Sequence, residues 1–85
     1  MTINDDLKKK IIYRATHRGS KEMDLLLGSF VKFYIDDFNL SELNDLLSLT
    51  FIEDEVLYKL HFHKIKNNII KDNKVSILFQ NFKFR

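Results

Sequence analysis

The chain has no proline and only two glycines among its 85 residues, and this scarcity restricts its fold more than any single motif does. Strands in a small domain must reverse direction every few residues, through turns in which Gly, Pro and Asn supply backbone angles that other residues adopt poorly. A turn-rich all-β fold would lack that punctuation. The expected fold class is therefore all-α, and a chain this short forms one domain, residues 1–85, because two halves would each bury too little surface to be stable.

Apolar spacing divides the chain into helical segments. Asn4 or Thr2 can cap a first helix, with Asp5 and Asp6 in its first turn, where negative charge complements the helix dipole. Leu7, Ile11 and Ala15 fall on one face, Ile12 and Tyr13 widen it, and Lys8, Lys9, Lys10 and Arg14 look outward. Gly19 is expected to end this helix in a left-handed conformation, behind the positive charge of His17 and Arg18. Ser20 then caps a central helix reaching about Ile35, with Met23, Leu26, Leu27, Phe30, Phe33 and Tyr34 at i, i+3, i+4, i+7 spacing. Gly28 inside it costs about 1 kcal/mol relative to alanine, which predicts the close approach of another helix backbone.

Asp36 and Asp37 mark the end of that segment, and Asn39-Leu40-Ser41-Glu42 has the spacing of a capping box before Leu43, Leu46 and Leu47. Thr50-Phe51-Ile52-Glu53 repeats the spacing before Val56, Leu57 and Leu60, with the acidic run Glu53, Asp54 and Glu55 at the helix start. Residues 64–73 read as a loop or a short irregular turn. Asn73 caps a last helix carrying Val75, Leu78, Phe79 and Phe82. A hairpin is the rival for the C-terminal part, since Tyr58, Leu60 and Phe62 alternate with polar residues, as do Val75, Ile77 and Phe79. Asn81 breaks the second alternation and neither run has turn chemistry beside it, so helices are preferred.

Composition removes several functions. Without cysteine there is no disulfide framework, no thiolate nucleophile and no thiolate zinc site. His61 and His63 are two apart, which puts them on different sides of a helix, with no third ligand of suitable type nearby. Ser20, Ser29, Ser41, Ser48 and Ser76 sit in no nucleophile elbow, and two glycines cannot build a phosphate or dinucleotide loop. A net charge of +2 is too mild by itself to imply a nucleic-acid or membrane partner. No apolar run approaches the roughly 20 residues of a membrane span. The N-terminus resembles neither a signal peptide nor a transit peptide, so the expected location is the cytoplasm, with no direct insertion into a membrane. What is left is a binding module rather than an enzyme.

One polar junction invites a functional reading. Arg18-Gly19-Ser20-Lys21-Glu22 puts a glycine beside an arginine between two core-forming helices. On spacing alone, Arg18 and Glu22 make an i, i+4 ion pair worth at most a few tenths of a kcal/mol. Together with Asp24, Leu25 to Leu27 and Phe30, however, the junction resembles the RGxxE signature of the SdhE family, also called succinate dehydrogenase assembly factor 2. Ser20 stands where that family often has Met, the aromatic late in the fourth helix is matched only by Tyr58 or Phe62, and the acidic entry to that helix survives as Glu53, Asp54 and Glu55.

The resemblance implies a compact bundle of about five helices that is not itself an enzyme. Members of the family bind the flavoprotein subunit of succinate dehydrogenase, and in bacteria also that of fumarate reductase, and promote covalent attachment of FAD to a histidine of that subunit. No cofactor would be held stably by the chain itself, FAD being attached to the partner, and the setting would be the bacterial cytoplasm. By the same resemblance Arg18, Gly19, Glu22 and Asp24 are partner-binding positions, with Lys10, Arg14 and His17 at the rim. Gly19 would let backbones approach, Arg18 would donate to carboxylates or carbonyls, and Glu22 would face the flavin or its acceptor histidine. The alternative is a small helical nucleic-acid or toxin-binding regulator, resembling an antitoxin, that uses the basic face of the first helix and binds in a strongly salt-dependent way.

Overall fold

The structure, a computed structural model, describes residues 3–83. The chain runs α1 (Ile3–Thr16), α2 (Lys21–Tyr34), a single 3-10 turn (Ile35–Asp37), α3 (Leu40–Leu49), α4 (Asp54–His63) and α5 (Lys74–Asn81), with no strand among the described residues. The all-α expectation holds. Both halves of the rival hairpin are helical, in α4 and α5.

The central helix forms as its spacing predicts. Ser20 Oγ accepts the Met23 N–H at 3.2 Å, and Met23, Leu26, Leu27, Phe30 and Val31 are buried. Phe33 departs from the expectation. It lies at the edge of the apolar stripe and stays 67% exposed, its ring leaning on Tyr34 and Phe82. Gly28 behaves as predicted, since a Cβ built there would lie 3.0 Å from Thr16 Cγ2 and 4.0 Å from the Ala15 carbonyl oxygen. The last turn of α1 therefore crosses α2 where the side chain is missing.

Helix ends account for the other corrections. Asn4 lies inside α1 rather than capping it, and Thr2 falls outside the described residues. Gly19 does not adopt a left-handed conformation. Instead, His17 Nδ1 donates to the Tyr13 carbonyl at 2.8 Å, one of the last four carbonyls of α1, and Thr16 Oγ1 donates to the Ile12 carbonyl at 2.8 Å. The left-handed residue is instead Lys64, at φ 58°, which closes α4 with the Ile65 N–H on the Lys59 carbonyl at 3.1 Å.

The capping box at Asn39 and Glu42 is complete, with both bonds at 2.9 Å. A second box joins Asn73 and Ser76, which the sequence had marked only by its asparagine. Thr50 does not start α4. It ends α3, its N–H returning to the Leu46 and Leu47 carbonyls, while Glu53 takes the N-cap position without a side-chain bond. Residues 64–73 hold no helix, as expected. His61 is buried, its Nδ1 2.9 Å from the Phe79 carbonyl, and ties α4 to α5, whereas His63 is exposed. Among the described residues no helix is long and apolar enough to cross a membrane.

Candidate partner-binding surface

Arg18 organises the surface by turning inward. Its side chain is only 8% exposed. Nε donates to Asp54 Oδ1 at 2.7 Å, Nη1 donates to the Thr50 carbonyl, and Nη2 donates to the Ile52 carbonyl. The planar guanidinium suits this task because its donors leave in fixed directions, so one side chain reaches two carbonyls and a carboxylate together. Thr50 lies at the C-terminal end of α3, where unpaired carbonyls carry partial negative charge and favour a cation. The Arg18 backbone N–H donates in turn to the half-buried Asp24 carboxylate in the first turn of α2. The junction between α1 and α2 is thereby fastened to residues 50–54.

The i, i+4 pair with Glu22 does not form, since Asp54 holds Arg18 instead. Glu22 is exposed and its carboxylate pairs with no described residue. Gly19 is exposed as well, and a Cβ added to it would meet only Asp54 Oδ2, at 3.5 Å, an ordinary contact. Neither the backbone angle nor the packing of the chain requires glycine at this position.

Two open hollows flank the junction and meet at Asp54. One, of about 400 Å³, is lined by Tyr13, Arg14, His17, Arg18, Gly19 and residues 50–54. The other, of about 270 Å³, is lined by Ser20, Glu22 and Met23 on one side and by Asp54, Glu55, Tyr58, Lys59 and His63 on the other. In the first hollow the His17 and Tyr13 rings stack at 4.0 Å, and the Arg14 guanidinium lies 3.8 Å over the Phe51 ring while its Nε donates to Thr50 Oγ1 at 3.2 Å. Lys10 is exposed further back on α1 and lines neither hollow.

The sequence therefore locates Arg14, His17, Gly19 and Glu22 around one surface, whereas Arg18, expected to donate to carboxylates or carbonyls of a partner, uses those donors on Asp54, Thr50 and Ile52 of its own chain, and Asp24 supports the junction from within. It does not reveal Phe51, Asp54 or Tyr58 as parts of that surface. The acidic run 53–55 was readable as a helix start, but the pairing of Asp54 with Arg18 spans 36 residues, which no local pattern encodes.

The described residues form a small all-helical domain that carries an open, polar-rimmed surface. Residues 9–83 match the model for the Sdh5 family, flavinator of succinate dehydrogenase, and the chain belongs to that family. The matched stretch contains the junction, residues 50–54 and most of α1, so the whole surface lies within it. No curated protein and no solved structure matches the chain.

Proposed function

We propose that this protein binds the flavoprotein subunit of succinate dehydrogenase and promotes covalent attachment of FAD to a histidine of that subunit, without catalysing the bond formation itself. The observation that carries this reading is Gly19. Its fold tolerates a side chain there, yet the residue sits exposed between two hollows, so the use of glycine points to close backbone approach by another molecule. Glu22 extends beside it, and its carboxylate, unpaired among the described residues, is placed to meet the flavin region or the acceptor histidine. Arg18 acts from behind, holding the junction in shape, and Asp24 fastens its backbone. Arg14 and His17 form the near rim and Lys10 an outer one.

Flavinylation requires the acceptor histidine to be held close to the flavin methyl carbon, and such positioning is worth about 7 to 11 kcal/mol at its best. A protein that binds the competent arrangement more tightly than others shifts the flavoprotein towards it. The chemistry belongs to FAD and its host. An ordinary interface takes about 800 Å² from each partner, and the chain has an accessible surface of 5599 Å², so one face suffices. The related subunit of fumarate reductase is proposed as a second partner, and the cytoplasm as the setting. On the basic face that a nucleic-acid reading needs, Lys8 pairs with Asp36 at 3.2 Å.

Glu22→Ala tests the reading. It should leave the melting temperature unchanged and abolish support of flavinylation; a destabilised variant that still supports flavinylation would make Glu22 structural.

A further inference from the structure

Phe51 is 59% exposed, yet it is held more firmly than an exposed ring usually is. The carbonyls on either side of it, Thr50 and Ile52, both accept from Arg18. Its own N–H donates to the Ser48 carbonyl at 3.1 Å, and the next N–H to the Leu49 carbonyl at 3.1 Å. Arg14 covers the ring at 3.8 Å and is itself oriented by Thr50 Oγ1. Most of the ring surface remains in water, so this ordering adds little to the core.

From this geometry we infer that Arg14 and Phe51 form a second contact element of the interface, one that takes an acidic side chain of the flavoprotein subunit with an apolar neighbour beside it. The inference rests on the proposed function and adds the chemistry of the partner group. Arg14 uses Nε on Thr50 and makes no further hydrogen bond with a described residue, which leaves its Nη donors for a carboxylate. Asp54 makes no ion pair with Arg14; its Oδ1 accepts from Arg18 instead. The Phe51 ring supplies the apolar contact, and a fixed ring loses little entropy when a partner covers it. Rigid aromatic and arginine side chains at the middle of an interface carry a large share of binding energy. Both line the hollow that Gly19 also lines, so one approaching surface would meet all three.

The experiment measures the affinity of the purified apo flavoprotein subunit of succinate dehydrogenase for the wild-type chain and for F51A, F51W, R14Q and E22A, with melting temperatures of each. F51A should bind about tenfold or more weakly at unchanged melting temperature, F51W should bind like wild type, and R14Q should lose affinity and flatten its dependence on salt. If F51A and R14Q bind like wild type while E22A fails, this inference falls and the proposed function stands. If all three bind like wild type, both fall. A drop in the melting temperature of F51A that matches its loss of affinity would also overturn the inference, because the ring would then be structural.

Discussion

Gly19→Ala separates a glycine kept by the fold from one kept for a partner. Gly19 is not left-handed, and the added Cβ would lie 3.5 Å from Asp54 Oδ2 in ordinary contact. Replacing glycine by alanine at a compatible position stabilises by about 0.4 to 1 kcal/mol, chiefly by restricting the unfolded chain. For a domain of this size that corresponds to a rise in melting temperature of about 2 to 8 °C. Binding should move the other way, since a methyl group forced into a tight contact costs about 1 to 3 kcal/mol, or roughly 5- to 150-fold in affinity. Gly19→Arg, whose longer side chain can lie in solvent in the free chain, should keep the domain folded and remove binding altogether. Thermal unfolding of the free variants and titration against the apo flavoprotein subunit measure the two effects. Destabilisation of Gly19→Ala by more than about 1 kcal/mol would show that the fold itself requires glycine there, and wild-type affinity in both variants would show that no partner backbone approaches it.

Leu27 is fully enclosed in the core, and Leu27→Ala should cost about 2 to 5 kcal/mol in urea unfolding; a loss below about 1 kcal/mol would mean the site collapses or is not core. Arg18→Lys keeps the charge but cannot span two carbonyls and a carboxylate, so it should destabilise by about 2 to 4 kcal/mol, and wild-type stability would show that the inward contacts are dispensable. The Glu42 carboxyl is held below its ordinary range first by the hydrogen bond from Lys74, at 2.9 Å, and then by the Asn39 N–H. Because the folded state takes up that proton less readily than the unfolded one, the stabilisation is complete above the ordinary glutamate range and disappears as pH falls through the lowered value. The difference in melting temperature between wild type and Glu42→Gln should therefore shrink from about pH 7 to about pH 3, and a constant difference would contradict this.

The periodic part of the fold was legible from residues. Leu26, Leu27 and Phe30 are buried as their spacing predicts, Gly28 lies under the last turn of α1, and Asn39 begins α3. The helix faces and the cap depend on neighbours within a few positions, and Gly28 signals its inter-helix contact only because a glycine inside a helix is costly. Lys64 shows the limit on one side: a lysine reaches φ 58° because the chain must leave α4 there, and nothing in its identity announces it. Thr50 shows the limit on another. Its capping-box spacing is real, but the chain continues in turns over the end of α3 and Arg18 takes the carbonyls there. The same long-range contact keeps Asp54 and Phe51 out of any local pattern, while Gly19 and Glu22 stand in a contiguous motif that the sequence displays directly.

The proposed role, assistance to a reaction that occurs on another protein, is tested most directly on that protein. Apo flavoprotein subunit of succinate dehydrogenase, incubated with FAD in the presence and absence of the purified chain and then separated under denaturing conditions, reports covalent flavin by in-gel fluorescence. Flavin incorporation into the large subunit should be faster when the chain is present, with none on the chain itself and no acceleration by Gly19→Arg. An unchanged rate with the wild-type chain, or fluorescence migrating with the 10.2 kDa chain, would contradict the proposed role.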